Sequence, residues 1–140
     1  MKTAILTFFL SVFAFALVPA QDGAFAQYYD NGKKKVQGNM DNGKKVGEWT
    51  YFWDNGSVMR EGIYKDGLVY GVWKEYYKGG QIKSEGGYGI KGSDSVKHGE
   101  WTYYHKNGQP KIEGKYVQGK KVGLWTEYNT LGIVINKKKY

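Results

Sequence analysis

Gly99-Glu100-Trp101-Thr102-Tyr103-Tyr104-His105-Lys106-Asn107-Gly108-Gln109-Pro110-Lys111-Ile112-Glu113-Gly114-Lys115-Tyr116 is the stretch that decides the fold. The same phrase stands on both sides of it. Gly47-Glu48-Trp49 opens one copy, Gly71-Val72-Trp73 another and Gly123-Leu124-Trp125 a further one. The Trp residues lie 24, 28 and 24 positions apart. A fixed period of this size signals one supersecondary unit used repeatedly, and it outweighs residue-by-residue propensity. The copies run over residues 47–64, 71–88, 99–116 and 123–140, and a degenerate copy at 23–40 keeps Asp30-Asn31-Gly32 in the place of Asp54-Asn55-Gly56.

Inside each copy an aromatic-rich run, a Gly turn and a second run predict a β-hairpin. The turn centres are Asn55-Gly56, Gly79-Gly80, Asn107-Gly108 and Leu131-Gly132. Asn-Gly and Gly-Gly suit the positive φ angles of a type I′ turn; Leu131 fits poorly. A two-residue turn pairs Trp53 with Val58, Tyr51 with Arg60 and Trp49 with Gly62. Side chains alternate between faces along a strand. One face then carries Trp49, Tyr51, Trp53, Val58, Gly62 and Tyr64; the other carries Thr50, Phe52, Met59, Glu61 and Ile63.

The copies agree best on the first face. Trp49, Trp73, Trp101 and Trp125 are each followed 15 residues later by Tyr64, Tyr88, Tyr116 and Tyr140. Gly62, Gly86 and Gly114 oppose the first three Trp residues and leave room for an indole over the backbone. This Trp-Gly-Tyr set is expected to be the structural core. The second face is mostly polar, with Phe52, Tyr76, Tyr104 and Tyr128 in a row, one per hairpin.

Residues 1–20 read as a signal peptide: Lys2 precedes a mainly apolar run over residues 4–18, too short for a comfortable membrane span. Cleavage after Ala20 keeps the degenerate copy whole, whereas the alternative after Ala26 removes Phe25 from the Trp slot. Residues 21–140 then form a single repeat domain, exported to the periplasm, the cell envelope or the outside. The chain has no Cys, which excludes disulfide staples and Cys-ligated metals. Formal charge is +8, from 21 basic and 13 acidic residues. The lysines cluster in turns and links, at Lys33, Lys34 and Lys35, at Lys44 and Lys45, at Lys120 and Lys121, and at Lys137, Lys138 and Lys139.

The phrase G-x-W-x-Y-Y, then N-G, E-G-x-Y and G-K-K-x-G, resembles the MORN repeat variant, including the YwqK-like antitoxin repeat proteins. The resemblance covers residues 47–140 with the weaker copy before them. It implies an all-β fold in which repeated β-hairpins stack into one elongated, twisted antiparallel sheet. It also implies a role in protein scaffolding or contact with membrane phospholipid, and it carries no catalytic residue. Choline-binding repeats share W-Y-Y hairpins, but at a period of roughly 20 residues and without E-G-x-Y.

The expected function is that of a non-enzymatic, exported interaction or scaffold module for an unidentified protein partner. One alternative is an envelope-surface binder of anionic lipid or glycan through a basic rim; another is an antitoxin-like inhibitor of a protein. The binding candidates are Phe52, Tyr76, Tyr104 and Tyr128 on the second face, and Lys44, Lys45, Lys120 and Lys121 in links expected to lie away from the Trp face. A homo-oligomer is compatible with this reading, and nucleic acid is not an expected partner. No cofactor or metal is expected. Glu61, Glu85 and Glu113 recur at one strand position, Glu85 opposite Lys74, and His98 and His105 have no acid or nucleophile in a motif. The link at residues 89–98 is four residues longer than the others and is expected to be the most exposed and mobile point.

Overall fold

The structure is a computed structural model that describes residues 22–140; the expected signal peptide and its cleavage after Ala20 lie outside the described residues. Ten strands follow one another: β1 (Gly23–Tyr28), β2 (Lys34–Asp41), β3 (Lys44–Phe52), β4 (Val58–Lys65), β5 (Leu68–Tyr76), β6 (Ile82–Lys91), β7 (Asp94–Tyr104), β8 (Pro110–Val117), β9 (Lys120–Tyr128) and β10 (Val134–Lys139). Each pairs antiparallel with the next, so the sheet order is the chain order. The all-β expectation holds: one open, ten-stranded antiparallel sheet, with no helix among the described residues.

Register within the hairpins follows the sequence pattern. Trp49 faces Gly62, Trp73 faces Gly86 and Trp101 faces Gly114. Near the turns the expectation fails. Tyr51 pairs with Arg60, but Phe52 pairs with Val58, leaving Met59 as an extra residue. Val58 therefore shares a face with Phe52, and Trp53 has left the ladder. The cause is the turn type. Gly56 N–H donates to Trp53 O at 2.9 Å, and Trp53 N–H donates to Ser57 O at 2.8 Å. Gly56 has φ +90°, whereas Asn55 is not left-handed. That is a type I turn closed by a Gly bulge, the common three-residue hairpin loop, and not type I′. The same pair of bonds closes the other four hairpins. Residue i+2 of a type I turn needs no positive φ, so Leu131 sits without strain.

Type I′ turns occur instead in the links. Asn42-Gly43, Asp66-Gly67 and Gln118-Gly119 have two positive φ angles each, between paired residues such as Lys65 and Leu68. The links are thus hairpins too. The longer link also closes in two residues, because Lys91 pairs with Asp94. Its four additional residues extend β6 and β7 by two each and do not form the mobile loop expected.

A second irregularity explains the Gly two places before each Trp. Between β2 and β3, Gln37 pairs with Thr50 and Asn39 with Val46, so Gly38 stands against Gly47, Glu48 and Trp49. Gly47 takes φ +66° at this bulge, a conformation that other residues adopt at a cost. The bulge tips the indole backwards onto the preceding hairpin. A Cβ at Gly38 would sit inside the ring of Trp49, one at Gly62 inside Trp73, one at Gly86 inside Trp101 and one at Gly114 inside Trp125. Each glycine therefore makes room for the Trp of the next copy, and not for the ring that it faces within its own hairpin, Phe25 for Gly38 and a Trp for the other three. The degenerate copy is part of this chain of contacts through Gly38. The last copy has Lys138 in the Gly slot, and no further Trp follows it.

Candidate functional site

The Trp face is covered by its own side chains. Trp49 is 1% exposed, Trp125 4%, and Trp73 and Trp101 5% each. Beneath each ring lies a glycine. Beside it, tyrosines meet the indole edge-on: Tyr64 lies 5.8 Å from Trp49 and 5.2 Å from Trp73, and Tyr116 lies 6.1 Å from Trp101 and 5.0 Å from Trp125. Such aromatic pairs add to simple burial. The indole N–H of Trp49, Trp73 and Trp101 donates to the carbonyl of Asn39, Ile63 and Gly87 at 3.2, 3.0 and 2.9 Å. Each carbonyl belongs to the residue after the slot glycine, so the indole bonds backbone at the ladder's interruption.

Above the rings sit lysines. Lys45 Nζ is 4.4 Å from the Trp49 ring centre, Lys97 Nζ 4.0 Å from Trp101 and Lys121 Nζ 4.1 Å from Trp125. These are cation–π distances. Lys45 and Lys97 also donate to Tyr51 and Tyr103 hydroxyls, each at 2.6 Å. All three lysines stand four residues before a Trp. Lys45 and Lys121 therefore lie on the Trp face and not away from it, because an even offset of four residues keeps a side chain on one face and the bulge, two residues longer on its own strand, preserves that parity. Lys44 and Lys120 are exposed beside the link turns. Lys33, Lys34 and Lys35 belong to the opposite, hairpin-turn end, and Lys137, Lys138 and Lys139 run along β10, the outer strand. The lysine clusters do not share one rim. Lys97 escaped the sequence reading; aligning the copies on Trp would have revealed it.

On the second face, Tyr76 donates to Glu61 and Tyr104 to Glu85, both at 2.7 Å, and Tyr128 donates to Glu113. Each bond joins one hairpin to the previous one. Burial, followed by the hydrogen bond to the carboxylate, pushes the Tyr76 and Tyr104 phenols up to about 12. At Tyr128 the bond to Glu113 is the leading cause of the upward shift. Phe52 has no hydroxyl, and Gln37 stands where the other copies have Glu. The pairing explains both. Lys74 approaches Glu85 at 4.0 Å. The four aromatics are half-buried, and elsewhere the same face exposes Ile63, Tyr70, Val72 and Leu124. An open groove of about 500 Å³ runs here between Glu48, Thr50, Glu61, Ile63, Val72 and Lys74.

The hairpin turns form a third ladder. Asn31 Nδ2 donates to Asp54 O, Asn55 Nδ2 to Lys78 O and Asn107 Nδ2 to Thr130 O, at 2.8, 3.2 and 2.7 Å. The Oδ1 of each accepts a backbone N–H two residues on in its own turn. His105 Nε2 lies 2.9 Å from Tyr128 O, which assigns the proton to that nitrogen and gives the side chain a bridging role. No group of three or more metal-ligating side chains occurs among the described residues.

The MORN repeat variant family matches residues 21–42, 45–66, 70–88 and 97–118, more than half of the chain. The match takes in the copy read as degenerate, which supplies Gly38 to Trp49, and stops before the last copy, which lacks the slot glycine. No curated protein matches the chain. Covering more than half of the residues, the family match shows that the chain belongs to the MORN repeat variant family.

Proposed function

We propose that this protein is a non-enzymatic, exported module that holds another protein on the second face of its sheet. The observation that carries the reading is the uncovered face itself: Val72 is 60% and Leu124 55% exposed, with Ile63 and Tyr70 beside Val72. They share that face with the half-buried rings of Phe52, Tyr76, Tyr104 and Tyr128. Apolar groups flanked by charged side chains are the usual composition of an interaction surface. MORN repeats are generally protein- or membrane-interaction modules. Glu61, Glu85 and Glu113 hold tyrosine hydroxyls and His105 bridges to the Tyr128 carbonyl, which favours a binding role. Export rests on the apolar segment at residues 4–18. The deciding experiment is capture from a cell-envelope extract with the parent protein and with Val72→Glu. A protein retained by the parent and lost from the variant supports the reading; equal retention by both contradicts it.

A second reading has Lys44 and Lys120, both exposed beside the link turns, meeting anionic lipid or glycan. Each lysine near such a membrane contributes about 1 kcal/mol, so two give weak, salt-sensitive binding. Sedimentation with anionic and neutral vesicles, for the parent and for Lys44→Gln/Lys120→Gln, separates it from the first. An antitoxin-like role is a special case of protein binding, in which the captured protein is a toxin.

A further inference from the structure

We propose that a pocket at the break in the aromatic ladder binds a small zwitterion of the α-amino-acid type, with Arg60 holding its carboxylate and Glu75 its ammonium. The repeats serve as controls for one another. Ring contacts link Trp49 to Tyr64 and Tyr64 to Trp73, then Tyr88 to Trp101, Tyr116, Trp125 and Tyr140. Between Trp73 and Tyr88, members of one copy, the sequence of contacts is interrupted. The same copy departs from the pattern in its polar groups. Val69 replaces the lysine that sits over the indole in the copies of Trp49, Trp101 and Trp125. Glu75 stands in the slot of Tyr51 and Tyr103, as Glu127 does in the last copy, where Lys121 covers the indole. Ser84 stands in the slot of Val36 and Ile112. The four residues that lengthen β6 and β7 follow directly.

These departures meet in space. Arg60, Glu75 and Ser84 are successive cross-strand partners on β4, β5 and β6. A pocket of about 90 Å³ lies between them, walled by Trp73, Tyr88 and Trp101. It has room for about three water molecules, which limits a ligand to a handful of non-hydrogen atoms. Ser84 is 4% exposed. The Arg60 guanidinium lies 4.2 Å from the centre of the Tyr51 ring, and its buried Nε has no hydrogen-bond partner among the described residues. Glu75 reaches Lys83 and Ser84, each at 3.5 Å, and forms no ion pair with Arg60.

The choice of residue is informative. Arg60 is the one arginine among 21 basic residues. A guanidinium presents a rigid fork of donors that matches a carboxylate in two places, which an ammonium cannot do. A ligand carrying only a carboxylate would meet Glu75, and one carrying only an amine would meet Arg60. A zwitterion satisfies both, and its ammonium takes over Trp73 the place that lysines hold over the other three indoles. The pocket is on the Trp face, so the proposal stands independently of protein docking on the second face.

The test is a titration of the purified full chain with alanine, followed by calorimetry and by the fluorescence of Trp73 and Trp101 within the total emission. N-acetylalanine, lacking the ammonium, and alaninamide, lacking the carboxylate, are run at matched ionic strength. The expected result is a saturable response to alanine alone, weakened at least tenfold in Arg60→Lys and in Glu75→Gln. Glu127→Gln, in the corresponding slot of the last copy, should leave it unchanged. Ser95→Leu, which fills the pocket from β7 without altering a ladder ring, should abolish it while the thermal midpoint is retained. No saturable response to alanine, equal responses to the blocked analogues, or binding that survives Ser95→Leu overturns the proposal.

Discussion

At the scale of the residue, the fold rests on the contact between a glycine and an indole from the next copy. Trp101→Ala should cost about 3–5 kcal/mol, as for other large buried rings. Gly86→Val should also destabilise, by about 1–3 kcal/mol or more, although Val is the better strand former, because its side chain would enter the Trp101 ring. The partner can be identified by a double-mutant cycle. Gly114→Val should couple energetically to Trp125→Ala and be additive with Trp101→Ala, in denaturant midpoints. The reverse result would mean that the indoles stay within their own hairpins. The tyrosines set a pH dependence. Tyr64, Tyr76 and Tyr104 are pushed up to about 12, against about 10 in an unfolded chain. The fold therefore favours the neutral phenol. Its contribution is fully present below pH 10 or so and is lost as pH climbs through about 12. Urea midpoints should fall between pH 9 and pH 11.5, and less in Tyr104→Phe; a flat profile over that range contradicts the assignment.

At the scale of the element, the two kinds of turn divide the work. Hairpin turns use Asn for its side chain, which closes its own loop and reaches the next one. Asn107→Ala should cost about 1 kcal/mol or more, since two hydrogen bonds are removed. Leu131→Asn should change stability by less than about 0.5 kcal/mol, the usual range for a surface change; a type I′ turn would instead be clearly stabilised. Thermal midpoints of the two variants distinguish the turn types. Strand existence, hairpin register and the Trp core were legible in the sequence, because Trp, Gly and Tyr recur at fixed offsets. The turn type was not, since Asn-Gly satisfies type I′ and also a type I turn followed by a Gly bulge. Nor was the direction of the indoles: Gly62, Gly86 and Gly114 each have a Trp on both neighbouring strands, and only the bulge at Gly47 and its equivalents selects one. The side of Lys45 and Lys121 was legible, since each stands an even number of residues before its Trp and strand alternation puts both on one face. Arg60 was visible as a lone arginine, but its meaning appears only when Glu75 and Ser84 are brought beside it.

At the scale of the whole molecule, the described residues form a single sheet with no second layer among them and yet bury four indoles. A sheet ordinarily hides its apolar face against another layer. Here the glycine below, the tyrosines beside and the lysine above supply that cover within one layer. The ends are treated differently. At β10, lysines occupy the outer strand, and Lys138 fills the slot where a further Trp would need glycine; this opposes head-to-tail growth of the sheet, as charged edge strands generally do. At β1, Phe25 packs 5.5 Å from Trp49, so removal of residues up to Ala26 would uncover an indole that is otherwise the most buried in the chain. The Trp face thus covers itself, with neither a second copy nor a partner. The most direct test of this cover is acrylamide quenching of tryptophan fluorescence, at dilutions where sedimentation shows a monomer. In a Trp53→Phe background, which removes the half-buried fifth indole, Trp49, Trp73, Trp101 and Trp125 should be shielded in the monomer, so that quenching stays low until denaturant unfolds the chain. Quenching in the folded monomer as strong as in the unfolded chain would contradict it.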